Sequence, residues 1–168
     1  FVGKSSKKHE IEINDEEIPD LSALIMMCKE AKTSKGGDLF LFFDEKGNGT
    51  DVKAYHVNEY IQEISGEKFT AKDFRTWGGT KLAAKTIATF KKKDNKKERK
   101  KNTTKMVKEV ALKLGNTPAV CRGSYIHPRF INDYMKGSFF RIWKETIGED
   151  MYPLSENESH VIRYLEDS

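Results

Sequence analysis

Leu114-Gly115-Asn116-Thr117-Pro118-Ala119-Val120-Cys121-Arg122-Gly123-Ser124-Tyr125-Ile126-His127-Pro128 is a run of stop and start signals for helices. Gly115 suits the place just past a helix end, where a left-handed residue lets the last carbonyls find partners. Thr117 followed by Pro118 reads as an N-cap with proline at the first helical position. It opens a short helix through Arg122 that Gly123 breaks, and Pro128 opens the next. Tyr125 therefore falls in an irregular segment between two short helices. Working outward, Val107, Val110, Ala111 and Leu114 recur at helical spacing before this stretch, and Phe130, Ile131, Tyr134 and Met135 share one face after it, with Gly137 beyond. Leu154 to Leu165 suits a last amphipathic helix through Val161, Ile162 and Leu165.

Further upstream, Thr70 is a good N-cap with Asp73 as its capping-box partner. The helix it opens runs through Trp77, Leu82 and Ile87. Gly78-Gly79 inside it cost about 1 kcal/mol each relative to alanine, which points to close packing or close approach of a ligand. Val57, Tyr60, Ile61 and Ile64 mark another helix, stopped near Gly66. Leu21, Leu24, Ile25, Cys28 and Ala31 mark a first one, ended by Gly36-Gly37, with Cys28 in its core. Leu39 to Phe43 reads as a buried strand closed by the Gly47-Asn48-Gly49 turn, and Phe1-Val2 and His9 to Ile13 alternate like two short strands around the turn-like GKSSKK. The expected class is α+β, mostly α-helical, with a small β-hairpin or sheet near the N-terminus.

The 168 residues are 37% hydrophobic and 33% charged, enough apolar content for one packed domain and too much for wholesale disorder. No apolar run approaches the ~20 residues of a membrane helix. Cys28 and Cys121 lie far apart without metal-ligand spacing, so they read as reduced thiols rather than a disulfide. Lys and Arg number 30 against 26 Asp and Glu. That modest excess conceals an asymmetry. Residues 91–105, a basic loop or helix extension, hold nine cations and two acids, while Arg141 to Ser168 hold three cations and seven acids. A basic segment of this kind suits a polyanion; by itself it also suits a solvated lysine-rich surface. Gly-rich phosphate loops, His-rich metal motifs and Ser-His-Asp sets are absent from the sequence.

Four pieces remain that carry chemistry: Gly3-Lys4-Ser5, Lys72 to Gly78, Leu114 to Pro118, and Ser124 to Pro128. In FVGK…H, KDFRTWGGT and LGNTPAVCRGSYIHP, the chain resembles the small type IB DNA topoisomerases of bacteria and poxviruses, within the tyrosine recombinase superfamily. The resemblance covers nearly the whole chain, and the wording is closest to the bacterial branch. Asn116 and Tyr125 keep the nine-residue frame that the family holds between its phosphate-binding His/Asn and its nucleophilic tyrosine. The resemblance implies a helical catalytic domain acting on double-stranded DNA. Tyr125 would attack the scissile phosphodiester, form a 3′-phosphotyrosyl bond and release a 5′-hydroxyl. A phenol, with pKa about 10, is a competent leaving group, so the step is reversible without ATP. Arg75 would hold non-bridging phosphate oxygens with its planar fork, Asn116 would donate a neutral hydrogen bond to the same group, and Lys4 would protonate the departing 5′-oxygen. These donors do what a metal does elsewhere, so no metal or cofactor is expected.

Each role has a plainer reading beside it. Arg75 could pair with Asp73, Asn116 could simply follow a helix end, and GKSSKK offers Lys7 and Lys8 besides Lys4. Lys72 stands where recombinases often carry His and is either a phosphate contact or an exposed first-turn lysine. Arg122, Lys96, Lys97, Lys100 and Lys101 suit the DNA backbone. Trp77 suits the core better than a base-stacking platform, and His127 suits a helix N-terminus. Cys121, near the site, could be sensitive to oxidation. The family orders its site Arg, Lys, Arg, His/Asn, Tyr. Three uncharged residues precede Lys4, so the first arginine and the clamp domain are expected to lie outside residues 1–168, the C-terminal catalytic portion. Such a piece is expected to fold yet cleave DNA poorly. The resemblance further implies a cytoplasmic, nucleoid-associated monomer with no membrane attachment. A tyrosine site-specific recombinase and a non-catalytic basic DNA-binding module are the alternatives; KDFR in place of HxxR, and the NTPAVCRGSYIHP wording, argue against the first.

Overall fold

Short-range hydrogen bonds shape the first part of the chain, and packing shapes the second. The computed structural model describes residues 2, 8, 10–13, 20–31, 39–148 and 154–167, and the chain divides into two units, Phe1–Ala71 and Lys72–Ser168. The first unit holds helix α1 (Leu21–Ala31), strands β1 (Leu41–Phe43) and β2 (Gly49–Asp51), and helix α2 (Ala54–Ser65). The strands pair antiparallel, with Leu41 opposite Asp51 and Phe43 opposite Gly49. Their turn is built on Asp44, whose carboxylate accepts from the Lys46 and Asn48 main-chain N–H groups and the Asn48 side chain at 2.8–2.9 Å. Gly47 takes the left-handed φ of +79° that the turn needs. Gly66 ends α2 with φ +68°, its N–H bonded to the Gln62 carbonyl.

Several expectations for this unit need correction. The strand within Leu39–Phe43 exists but is not buried: Phe40, Phe42 and Phe43 are 45–50% exposed. Cys28 is half-buried, not core. Val2 and Lys8 form an isolated antiparallel bridge in place of the two expected strands, and residues 10–13 have no regular structure. The other residues of GKSSKK, and Gly36-Gly37, lie outside the described residues. None of the unit's described residues is buried.

In the second unit, α3 (Ala71–Ala88), α4 (Lys96–Lys113), α5 (Pro118–Ser124), α6 (Pro128–Lys136), α7 (Phe139–Glu145) and α8 (Glu156–Glu166) enclose one apolar core. The architecture is mostly helical α+β, as expected. Helix α4 starts within the basic run, because the Asn95 side chain accepts from the Lys97 N–H at 2.7 Å and caps it. Helix α4 packs on α5 and α6, and α6 on α7. Fully buried Ile87, Met106, Val110, Phe130, Tyr134, Phe139 and Tyr164 fill the centre. Phe130 stacks on Tyr164 and Phe139 on Trp143, with ring centroids 4.7 and 5.3 Å apart. The buried hydroxyls are satisfied: Tyr164 donates to Asp133 at 2.9 Å, and Tyr134 accepts from Asn102 at 2.8 Å. Arg99, although part of the basic run, spends its guanidinium on the carbonyls of Met135, Lys93 and Asp94.

Helix α5 continues through Gly123 to Ser124, slightly beyond the expected break, and α7 has no counterpart in the sequence pattern. Helix α8 begins at Glu156 behind a Ser155–Glu158 capping box. Glu158 also accepts from Lys81 Nζ at 2.6 Å and Trp77 Nε1 at 3.2 Å on α3. Trp77 is thus part of the packing, as expected. The Lys81 ammonium, then Ser155 and Trp77, hold the Glu158 carboxyl down to about 2.

Candidate active site

The C-terminus of α4 leaves carbonyls without intrahelical partners. The chain answers with a Schellman turn: Gly115 takes φ +66°, its N–H bonds to Leu112 O at 3.1 Å, and the Asn116 N–H reaches back to Ala111 O at 2.8 Å. The Leu114 carbonyl is left for side chains. Arg75 Nη2, from the first turns of α3, donates to it at 2.7 Å, and Asn116 Nδ2 donates to the same oxygen at 3.0 Å. A guanidinium at a helix C-terminus is also favoured by the helix dipole.

Thr117 then caps α5, accepting from the Val120 N–H at 3.3 Å with Pro118 at the first helical position. Seven residues later the chain leaves the helix at Tyr125, the C-cap, whose N–H bonds to Cys121 O. The Arg75 guanidinium carbon lies 5.3 Å from the Tyr125 ring centroid, within cation–π range. The ring is half-buried, and among the described residues its hydroxyl has no hydrogen-bond partner. Arg75 and Asn116, 41 residues apart in sequence, therefore share one carbonyl oxygen, and the Tyr125 ring lies beside the Arg75 guanidinium.

The remaining candidate residues fall into three groups. Lys72 and Arg122 are exposed, each one helical turn before Arg75 and Tyr125 respectively. Lys96, Lys97, Lys100 and Lys101 are exposed at the N-terminal end of α4, ~20–27 Å along its axis from Leu114. They form a separate basic surface and are not brought to the tyrosine. Lys4 lies outside the described residues. Cys121 is fully buried, and burial raises its thiol against the opposing pull of the Arg75 charge, which makes it an inert packing group. His127 caps α6, its Nδ1 facing the Arg129 N–H, as its position suggested. Sequence reasoning missed the Leu114 main chain as the common acceptor; its place at a helix end was the only available clue. Among the described residues no His, Cys, Asp or Glu cluster could hold a metal ion, and no helix is long and apolar enough to cross a membrane.

An arginine and an asparagine thus converge beside a tyrosine on a helical core. Comparison with known families narrows this: residues 1–139 match the catalytic core of eukaryotic DNA topoisomerase I, and the chain belongs to that type IB family. It is 33% identical over 133 residues to DNA topoisomerase 1B of Acanthamoeba polyphaga mimivirus, an alignment that takes in 75% of this chain and 38% of the viral protein. The chain thus spans well under half the length of that relative. The relative being viral, it supports the type IB assignment and does not bear on a bacterial branch.

Proposed function

We propose that this chain carries the strand-cleaving chemistry of a type IB topoisomerase. In this reading the Tyr125 hydroxyl gives up its proton to solvent and its oxygen attacks a phosphodiester of duplex DNA, forming a 3′-phosphotyrosyl bond as the bond to the 5′-oxygen breaks and that oxygen takes a proton from Lys4. Rotation of the freed strand and reversal of the step then relax supercoils of either sign. Arg75 and Asn116 hold the non-bridging oxygens through the transition state, where a charged fork and a preorganised amide are most useful. Lys72 and Arg122 flank the same phosphate, and the α4 lysines engage backbone further along the duplex. The enzyme acts as a monomer, without metal or nucleotide, on DNA of the cytoplasmic nucleoid.

The observation that carries the reading is the sharing of the Leu114 carbonyl by Arg75 and Asn116 beside the Tyr125 ring. Two donors that fit one oxygen can transfer to one phosphate oxygen with small side-chain movements. The test is a suicide duplex, whose cleaved strand diffuses away so that even slow cleavage accumulates as a covalent adduct. In EDTA and without ATP, the protein yields an adduct on a denaturing gel. Tyr125→Phe yields none while binding the same duplex, and Arg75→Ala slows its formation ~10²–10³-fold. Adduct formed by Tyr125→Phe, or none formed by the unmodified protein, overturns the proposal; the second outcome favours a DNA-binding module without chemistry.

A further inference from the structure

Helix α3 carries Arg75, and its neighbouring face grips the segment that carries Tyr125. Thr76, Gly79 and Thr80 stand at i, i+3 and i+4, so they line one side of the helix. Each meets a different main-chain group of the tyrosine segment. Thr76 Oγ1 lies 3.4 Å from the Ser124 carbonyl, while also bonding to Lys72 O at 3.2 Å. Thr80 Oγ1, buried, accepts from the His127 N–H at 3.1 Å. Between them, Gly79 lies directly against the Tyr125 carbonyl. A β-carbon there would collide with that oxygen and would stand 3.2 Å from the Tyr125 carbonyl carbon and 3.1 Å from Leu114 Cδ1.

We propose that Thr76, Gly79 and Thr80 form a seat that sets the Tyr125 phenol against the Arg75 guanidinium. They are positioning residues for the reaction proposed above, and the inference rests on that reading. With Ser124, Tyr125 and His127 held by one helix, the ring keeps only its side-chain torsions. The same helix supplies Arg75, so nucleophile and phosphate clamp share one rigid reference. Gly79 has the widest reach, because the group nearest to it besides Tyr125 is Leu114, whose carbonyl holds both Arg75 and Asn116. A single methyl at position 79 pushes on both halves of the site at once. The neighbouring Gly78 has open space around its β-position, so the requirement belongs to one glycine of the pair. Displacements of about 1 Å in such arrangements cost on the order of 10² in rate.

The test compares Gly79→Ala, Thr80→Val and Thr80→Ser with Val161→Ala, a buried variant on α8, outside α3 and the tyrosine segment, that controls for lost stability. Two readouts are taken: single-turnover cleavage of the suicide duplex at saturating DNA together with duplex affinity, and the ¹⁹F resonance of fluorotyrosine placed at position 125. Gly79→Ala is expected to slow cleavage ~10²-fold with affinity changed less than about twofold. Thr80→Val slows it ~10-fold and Thr80→Ser restores it. Val161→Ala cleaves at the unmodified rate. The ¹⁹F resonance moves in Gly79→Ala, as it does in Arg75→Ala, and stays in Val161→Ala. An unmoved resonance in Gly79→Ala, equal slowing by Val161→Ala, or failure of Thr80→Ser to rescue overturns the seat. Absence of any adduct in the unmodified protein, with the resonance still moving in Gly79→Ala, overturns the proposed reaction and leaves the seat standing.

Discussion

Helices α2 and α4 carry the same apolar spacing and meet different surroundings. In α2, Val57, Tyr60 and Ile64 are 41–65% exposed; in α4, Val107, Val110 and Ala111 are at most 4% exposed. Periodicity therefore specifies a helix and the face it will offer, while the partner for that face comes from other elements. Helix α4 has α5 and α6 against it. Helix α2 is held at its ends, where the His56 ring accepts from the Lys53 N–H at 3.0 Å and Gly66 closes the last turn, and by a few contacts at its surface: the Phe42 ring lies edge-on to His56 at 5.3 Å, and the Asn58 side chain accepts from the Ala71 N–H at 3.0 Å. One unit has a buried core, and the other, among its described residues, has hydrogen bonds and exposed contacts without one.

The largest effect follows from that contrast. Met106→Ala in α4 removes a fully buried side chain and should cost about 2–5 kcal/mol. Ile64→Ala in α2, at a position 65% exposed, should stay within about 0.5 kcal/mol. Urea titrations followed by circular dichroism measure both. An equal cost at Ile64 would mean that its face is covered after all, and the contrast would collapse.

A smaller effect separates the core of the second unit from its surface. Replacing Lys96, Lys97, Lys100 and Lys101 by Ala should leave the urea midpoint unchanged, since all four are exposed. Duplex binding should weaken by roughly tenfold or more at 0.1 M salt, alike for all sequences. The log–log salt dependence should flatten by about 0.9 for each phosphate that the lysines no longer neutralise. An unchanged slope would assign the lysines to a solvated helix end that never touches DNA.

What can be read from the sequence is what depends on near neighbours. Gly115, Thr117-Pro118, Gly66 and Gly137 announce helix ends because capping involves residues a few positions apart. Helix α7 is illegible because Ser138 makes no side-chain cap bond and the helix is seven residues long, too short for a stripe to emerge. The exposure of Leu39–Phe43 runs against expectation because an apolar run does not say what covers it. At the site, Asn116 and Tyr125 are legible as a spaced pair within a recognisable motif. The bond from Arg75 to the Leu114 carbonyl crosses 39 residues and ends on main chain, which no side-chain pattern can signal. The close approach behind Gly79 is half legible: a glycine pair inside a helix demands a reason, and the packing supplies it at one of the two.

The smallest expected effect compares one carboxylate from each unit under acid. Asp44 and Glu158 are both held below the ordinary carboxylate range, Asp44 by Asn48 and Glu158 chiefly by Lys81. Asp44 sits in an exposed turn, where losing its bonds frays only the hairpin. The Glu158 side chain is 22% exposed and ties α8 to Lys81 and Trp77 of α3. A carboxyl depressed by folding stabilises the native state fully above its ordinary value and loses that contribution as pH falls toward its folded value. For Glu158 the window runs from near 4.5 down to about 2. Glu158→Gln should therefore be less stable than the unmodified protein at neutral pH by about 1 kcal/mol, because solvent at Lys81, 35% exposed, screens the pair. The gap should close as pH drops through that window. His160, whose imidazole is lowered by burial, also loses native stability on acidification from about its ordinary 6.5. It does so in both proteins alike, so the difference between their melting temperatures at each pH isolates Glu158. Asp44→Asn should track the unmodified protein throughout. If Asp44→Asn flattens the acid limb as much as Glu158→Gln does, the hairpin unfolds together with the helical core, and the division into a locally held unit and a packed unit has no thermodynamic counterpart.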